Sequence, residues 1–86
     1  MPKTIFTGTN LVVVQTIKEA RLQSGLKQTD LAAKVGKDQS WLSLIEGSQR
    51  RLDVVEFINL AEAMGLSPED LFADVLSRLN PNRDKE

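Results

Sequence analysis

Gln28-Thr29-Asp30-Leu31-Ala32-Ala33-Lys34-Val35-Gly36-Lys37-Asp38-Gln39-Ser40-Trp41-Leu42-Ser43-Leu44-Ile45-Glu46 is the stretch on which the fold turns. Leu31, Ala32 and Val35 recur at i, i+1 and i+4, a one-sided apolar stripe that predicts a helix over 28–35. Gly36 stops it, because glycine adopts the left-handed conformation past a helix end without a Cβ clash. Asp38 then offers a short side-chain oxygen to the free amides of a new first turn, which predicts a second helix from Gln39 to about Glu46. Leu42 and Ile45 point one way, and Gln39, Ser40 and Ser43 lie largely on other faces. Only Gly36-Lys37-Asp38 joins the two segments. Ala32 lets the pair cross closely, and Leu42 and Ile45 can pin the second helix over the first with its outer face free. An exposed helix end bearing Gln and Ser can enter a DNA major groove and hydrogen-bond base edges.

Three further helices extend outward from this pair. One spans about 10–24. Thr9 or Asn10 is its expected cap, Val13, Val14, Ile17, Ala20 and Arg21 share a face, and Gly25 ends it. Another spans 54–64. Asp53 caps it, Glu56 can reach back to complete a capping box, and Gly65 ends it. Its expected apolar face is Val54, Val55, Ile58, Ala61 and Met64. The last opens with Ser67-Pro68-Glu69-Asp70: a cap, a proline where the missing amide costs nothing, and two acids facing the helix dipole. Leu71, Phe72, Val75, Leu76 and Leu79 follow at helical spacing, and Asn80-Pro81 ends it. The expectation is an all-α, compact five-helix fold in one domain, with an arm over 1–9, a helical core over 10–79 and a tail over 80–86.

The chain has 86 residues, no cysteine and no histidine. Disulfides, thiolate or imidazole zinc sites and any His- or Cys-based catalytic set are therefore excluded. No cofactor and no metal are expected, no small-molecule substrate is evident, and an enzyme is the least favoured class. The longest apolar run, Leu11-Val12-Val13-Val14, is far short of the roughly 20 residues of a membrane span. Met1-Pro2-Lys3-Thr4-Ile5-Phe6 lacks the apolar stretch of a signal peptide, so the expected compartment is cytoplasmic. The net charge of −1 averages two unlike halves. Residues 1–51 carry eight Lys or Arg against four acids, and residues 52–86 carry three against eight, giving +4 and −5. A basic motif half suits a module that turns one face to phosphates and another to protein or solvent.

The strings Leu26-Lys27-Gln28-Thr29-Asp30-Leu31-Ala32-Ala33-Lys34-Val35-Gly36 and Gln39-Ser40-Trp41-Leu42-Ser43-Leu44-Ile45-Glu46-Gly47 resemble the Cro/phage-repressor-type, or XRE, helix-turn-helix family. Arg50-Arg51-Leu52-Asp53-Val54-Val55-Glu56-Phe57 looks like a variant common among small bacterial regulators. The resemblance covers about Ile17 to Leu71 and implies a lambda-repressor-like domain that reads double-stranded DNA with its third helix.

The resemblance also implies residue roles. Gln39, Ser40, Ser43 and Leu44 would read bases, with Gln39 suited to adenine and Leu44 to a thymine methyl. Gln28, Lys37, Ser48, Gln49, Arg50 and Arg51 would meet the DNA backbone, and Gln28 would also brace the recognition helix. Arg21 and Glu46 match a structural ion pair. Two positions depart from the family pattern. Its glycine two residues after the Glu stands one residue early here, at Gly47, which bears on the loop backbone. Leu44 is apolar where many relatives are polar or basic.

Trp41 is read two ways, as a flank of the core or as a contact to a sugar or base. Leu71, Phe72, Val75, Leu76 and Leu79 read as closing the core or, in preference, as a dimer interface shared with the end of the fourth helix. The implied function is a sequence-specific transcriptional regulator, dimeric on a pseudo-palindromic operator. The alternatives are an antitoxin or other protein-interaction module, with a toxin or polymerase as possible partner, and a controller protein of a restriction–modification system.

Overall fold

The computed structural model describes residues 8–80. The chain forms α1 (Thr9–Gln23), α2 (Gln28–Lys34), α3 (Gln39–Glu46), α4 (Val54–Ala63) and α5 (Pro68–Leu79), with no strand among the described residues. None of these helices is long and apolar enough to cross a membrane. The expected arm over 1–9 lies outside the described residues up to Thr7, and the expected tail does so from Pro81.

Local chemistry sets most helix ends. Asp38 accepts from the Trp41 amide at 3.0 Å and starts α3. Asp53 and Glu56 form a reciprocal box at the start of α4, with bonds of 2.7 and 3.0 Å. Ser67 accepts from the Asp70 amide at the start of α5. The start of α1 differs from expectation. Gly8 precedes the helix, which begins at Thr9, and neither Thr9 nor Asn10 caps it. Asn10 instead lies inside the first turn, where its amide is free to reach another element.

At Gly36 the turn of the helix pair closes as the spacing predicts. Its φ is +74°, its amide donates to Ala33, and the Lys37 amide donates to Ala32. This double closure satisfies two carbonyls at the end of α2 and turns the chain directly into α3.

One core joins all five helices. Ile17 of α1, Leu31 and Ala32 of α2, Leu42 of α3, Leu60 and Ala61 of α4, and Val75 of α5 are its centre. Two expected faces need correction. On α4 the buried residues are Phe57, Leu60, Ala61 and, at its end, Met64, whereas Val54, Val55 and Ile58 are exposed. The stripe at 57, 60, 61 and 64 follows i, i+3, i+4, i+7 and packs inward as one ridge. The β-branched start of the helix faces out. On α5 Leu71 and Val75 are core, which removes them from any surface for a partner, while Phe72 and Leu79 are exposed and Leu76 is half-buried. Residues four apart share a face, so Leu71 and Val75 point one way and the row of Phe72, Leu76 and Leu79 lies beside them.

Candidate nucleic-acid interface

Gln39, Ser40, Ser43 and Leu44 are all exposed on α3. Gln39 with Ser43, and Ser40 with Leu44, form two parallel i, i+4 rows on the side of the helix away from buried Leu42 and Ile45. No residue of this face carries a formal charge. It can donate, accept or make apolar contact, and charge is supplied from its two ends.

Lys37 lies in the turn before α3 and is exposed. Arg50, half-buried, and Arg51, exposed, lie in the loop after it. Gln49 is half-buried in the same loop. Ser48 is different. It is fully buried, so its hydroxyl is not presented to a phosphate, contrary to the role the resemblance implies. Its φ is +55°, and its amide donates to Ile45 while that of Gln49 donates to Leu44. Ser48 therefore occupies the left-handed position, two residues past Glu46, where the family has glycine. Gly47 sits at φ −83° as the ordinary cap residue. The loop keeps the family turn with a serine in it, and the hydroxyl accepts from Asn10 Nδ2 at 2.9 Å.

A polar relay runs beneath this surface. The Arg21 guanidinium donates to both Glu46 carboxylate oxygens, at 2.7 and 3.0 Å, and to the Leu26 carbonyl at 2.8 Å. Both side chains are almost completely buried, and their charges satisfy each other in a bidentate geometry. Gln28 Nε2 donates to Glu46 Oε1 at 2.9 Å, and Gln39 Nε2 donates to Gln28 Oε1 at 3.3 Å. The relay thus links α1, α3 and α2 and ends on the first residue of α3. Gln39 retains one amide hydrogen and its carbonyl oxygen, the pair of groups that adenine N7 and N6 require.

Trp41 is half-buried against the core. Its ring also lies near two cations, with Lys37 Nζ 5.7 Å and Arg50 Cζ 5.8 Å from the centroid. Arg50 pairs in addition with Glu56 at 3.0 Å. The sequence placed Lys37 and Arg50 near the helix but held no sign that one ring joins them. That relation spans the whole of α3 and exists only once the loop is folded back.

A second surface lies away from α3. Val54, Phe57, Ile58, Pro68, Glu69 and Phe72 line an almost wholly apolar groove of about 240 Å³. Val54 is 70% exposed, Val55 62% and Phe72 50%, and Phe72 meets Phe57 edge-on with centroids 5.9 Å apart. The exposed apolar side chains of α4 thus lie toward its start, at Val54, Val55 and Ile58, and not at its end. The sequence carries two apolar stripes on α4, and packing buries the one at 57, 60, 61 and 64.

The helix-turn-helix family model matches residues 17–71, more than half of the chain. An XRE-family-like protein from Pseudomonas syringae pv. tomato str. DC3000 is 33% identical, with a TM-score of 0.75, over 81% of this chain and 85% of that one. The restriction-modification controller protein C.Esp1396I, in a tetramer bound to its natural 35 base-pair operator, is 26% identical, with a TM-score of 0.79, over 86% and 97%. Cyanate hydratase from Laccaria bicolor (strain S238N-H82 / ATCC MYA-4686) is 31% identical over 65 residues, and the chain spans only 39% of that protein.

Proposed function

The chain belongs to the XRE-type helix-turn-helix family, and from that premise we propose that two copies of it read the half-sites of a pseudo-palindromic operator and so control transcription. It is a DNA-binding regulator whose α3 enters the major groove. The observation that carries this reading is the uncharged, exposed face of Gln39, Ser40, Ser43 and Leu44 with Lys37 at one end and Arg50 and Arg51 at the other. The uncharged face suits base edges and the cations suit phosphates. Within the half-site the face favours A·T pairs, since it has no Arg or Lys to bridge guanine O6 and N7.

The apolar surface of Val54, Val55, Ile58 and Phe72 is the proposed meeting face of the two copies. Exposed apolar side chains gathered on one side of a small domain are what a self-complementary two-fold contact buries. The relative solved as a tetramer on its operator supports assembly on DNA. A cytoplasmic location accords with this role.

The same relative favours a more specific second reading, a controller protein of a restriction–modification system. Neighbouring nuclease and methylase genes, with binding to the promoter of its own operon, distinguish it from a general regulator. For both readings the test is capture of genomic fragments by the full chain, followed by sequencing. A recurrent A·T-rich inverted repeat supports the regulator. Uniform recovery of all fragments overturns sequence-specific control.

A further inference from the structure

We propose that Trp41 is a positioning residue for phosphate contact, holding the Lys37 ammonium and the Arg50 guanidinium together for the DNA backbone. The proposal rests on the DNA-binding reading above and names a device within it. Lys37 precedes α3 and Arg50 follows it, 13 positions apart in the chain, yet both charged groups lie within 5.8 Å of one ring centroid. They are therefore within about 12 Å of each other. On free side chains the rotamer freedom of Lys and Arg would scatter the two groups. The negative face of an indole is the best aromatic counterweight to such charges.

The ring is itself fixed. Trp41 packs against the core on α3, so its position follows the recognition helix. Arg50 is tied from a second side by Glu56, which also caps α4 and accepts from the Asp53 amide. The backbone carbonyl of Arg50 accepts from Asn10 Nδ2 at 3.5 Å. The loop that carries Arg50 is thus anchored to α1 and α4 while its guanidinium faces Trp41. Ordering these cations before DNA arrives lowers the entropy that binding must otherwise spend on them. In this arrangement the indole acts through the cations, and its own contact with bases is not required.

The test compares the full chain with Trp41→Leu, Trp41→Phe and Gln39→Ala, on the operator and on an unrelated duplex, across a range of salt concentrations. Trp41→Leu is expected to weaken both complexes alike, by about 10-fold, and to reduce the slope of log K against log salt by about 1–2, the mark of lost phosphate contacts. Trp41→Phe is expected between Trp41→Leu and the native chain. A double-mutant cycle adds a readout that packing alone does not move. Arg50→Gln is expected to cost several-fold less affinity in the Trp41→Leu background than in the native chain.

Trp41→Phe and the same cycle run on it decide the question if the leucine variant does not fold. An unchanged salt slope, or additive effects of Trp41 and Arg50, overturns the proposal. So does a loss confined to the operator, which would make the ring a direct base contact. Failure of the native chain to bind either duplex overturns the DNA-binding reading itself, a result distinct from all of these.

Discussion

Asn10, in the first turn of α1, donates to the hydroxyl of Ser48, the one described non-glycine residue with positive φ, across 2.9 Å. The bond ties the start of the chain's first helix to the loop that leaves the recognition helix. Ser48 meets two opposed demands, since its left-handed backbone disfavours any side chain by about 1–2 kcal/mol while its buried hydroxyl supplies the anchor for Asn10. Ser48→Ala keeps the strain and loses the bond. Ser48→Gly loses the bond and the strain together. The alanine variant is therefore expected to be the less stable of the two by about 1 kcal/mol in urea unfolding. Equal stability would show that the backbone at 48 carries no strain.

The Arg21–Glu46 pair is buried and bidentate, and Glu46 also accepts from Gln28. Removing one partner leaves a charge in the interior, so Glu46→Ala or Arg21→Ala is expected to cost about 3–5 kcal/mol. That is a large share of the stability of so small a domain. The double variant Arg21→Met with Glu46→Leu leaves no buried charge and is expected to be much closer to native. Thermal unfolding of the three variants checks this order.

Gln39 sits at the end of the relay and faces outward. Gln39→Ala is expected to weaken operator binding by about 1–3 kcal/mol, the value of one bidentate base contact, and to leave binding to unrelated DNA unchanged. Arg51→Ala is expected to weaken both equally. Titration of the two duplexes at one salt concentration separates the effects.

The two rows of α5 differ in what they support. Phe72→Asp or Ile58→Asp places a charge on the exposed apolar groove and is expected to shift dimer toward monomer in sedimentation, with the helical content of the monomer retained. Leu71→Ala is expected instead to cost about 2–5 kcal/mol in unfolding without a specific effect on assembly, because its side chain is core.

Arg78 joins α5 to α1 by bonding Glu19 at 2.9 Å and, one turn back, Asp74 at 3.0 Å. The hydrogen bond from Arg78, and then the charge of the same guanidinium, holds the Glu19 carboxyl below its usual value of 4.5. A depressed carboxyl pKa stabilises the fold above the unfolded value, and that contribution is lost as pH falls through the folded one. The melting temperature of the native chain is expected to fall more steeply below about pH 4.5 than that of Arg78→Leu. The difference should be small and should shrink with added salt, since Glu19 is exposed.

Helix ends and the helix-turn-helix connection were legible in the chain because their causes are local. Asp38 acts on an amide three residues on, Asp53 and Glu56 act on each other, and Gly36 turns the backbone at its own position. The pairing of Arg21 with Glu46 was legible only through resemblance, since nothing local joins residues 25 apart. Tertiary structure alone decided which stripe of α4 is buried, which row of α5 remains outside, and that Ser48 stands in a glycine position with its hydroxyl turned inward. It alone brought Lys37 and Arg50 to the same indole. The physical reason is common to all of these. Hydrogen-bonded caps and turns close within a few residues, whereas the rotation of a helix about its axis is set by the neighbours it packs against. In a short helix with two usable apolar stripes, only those neighbours choose between them.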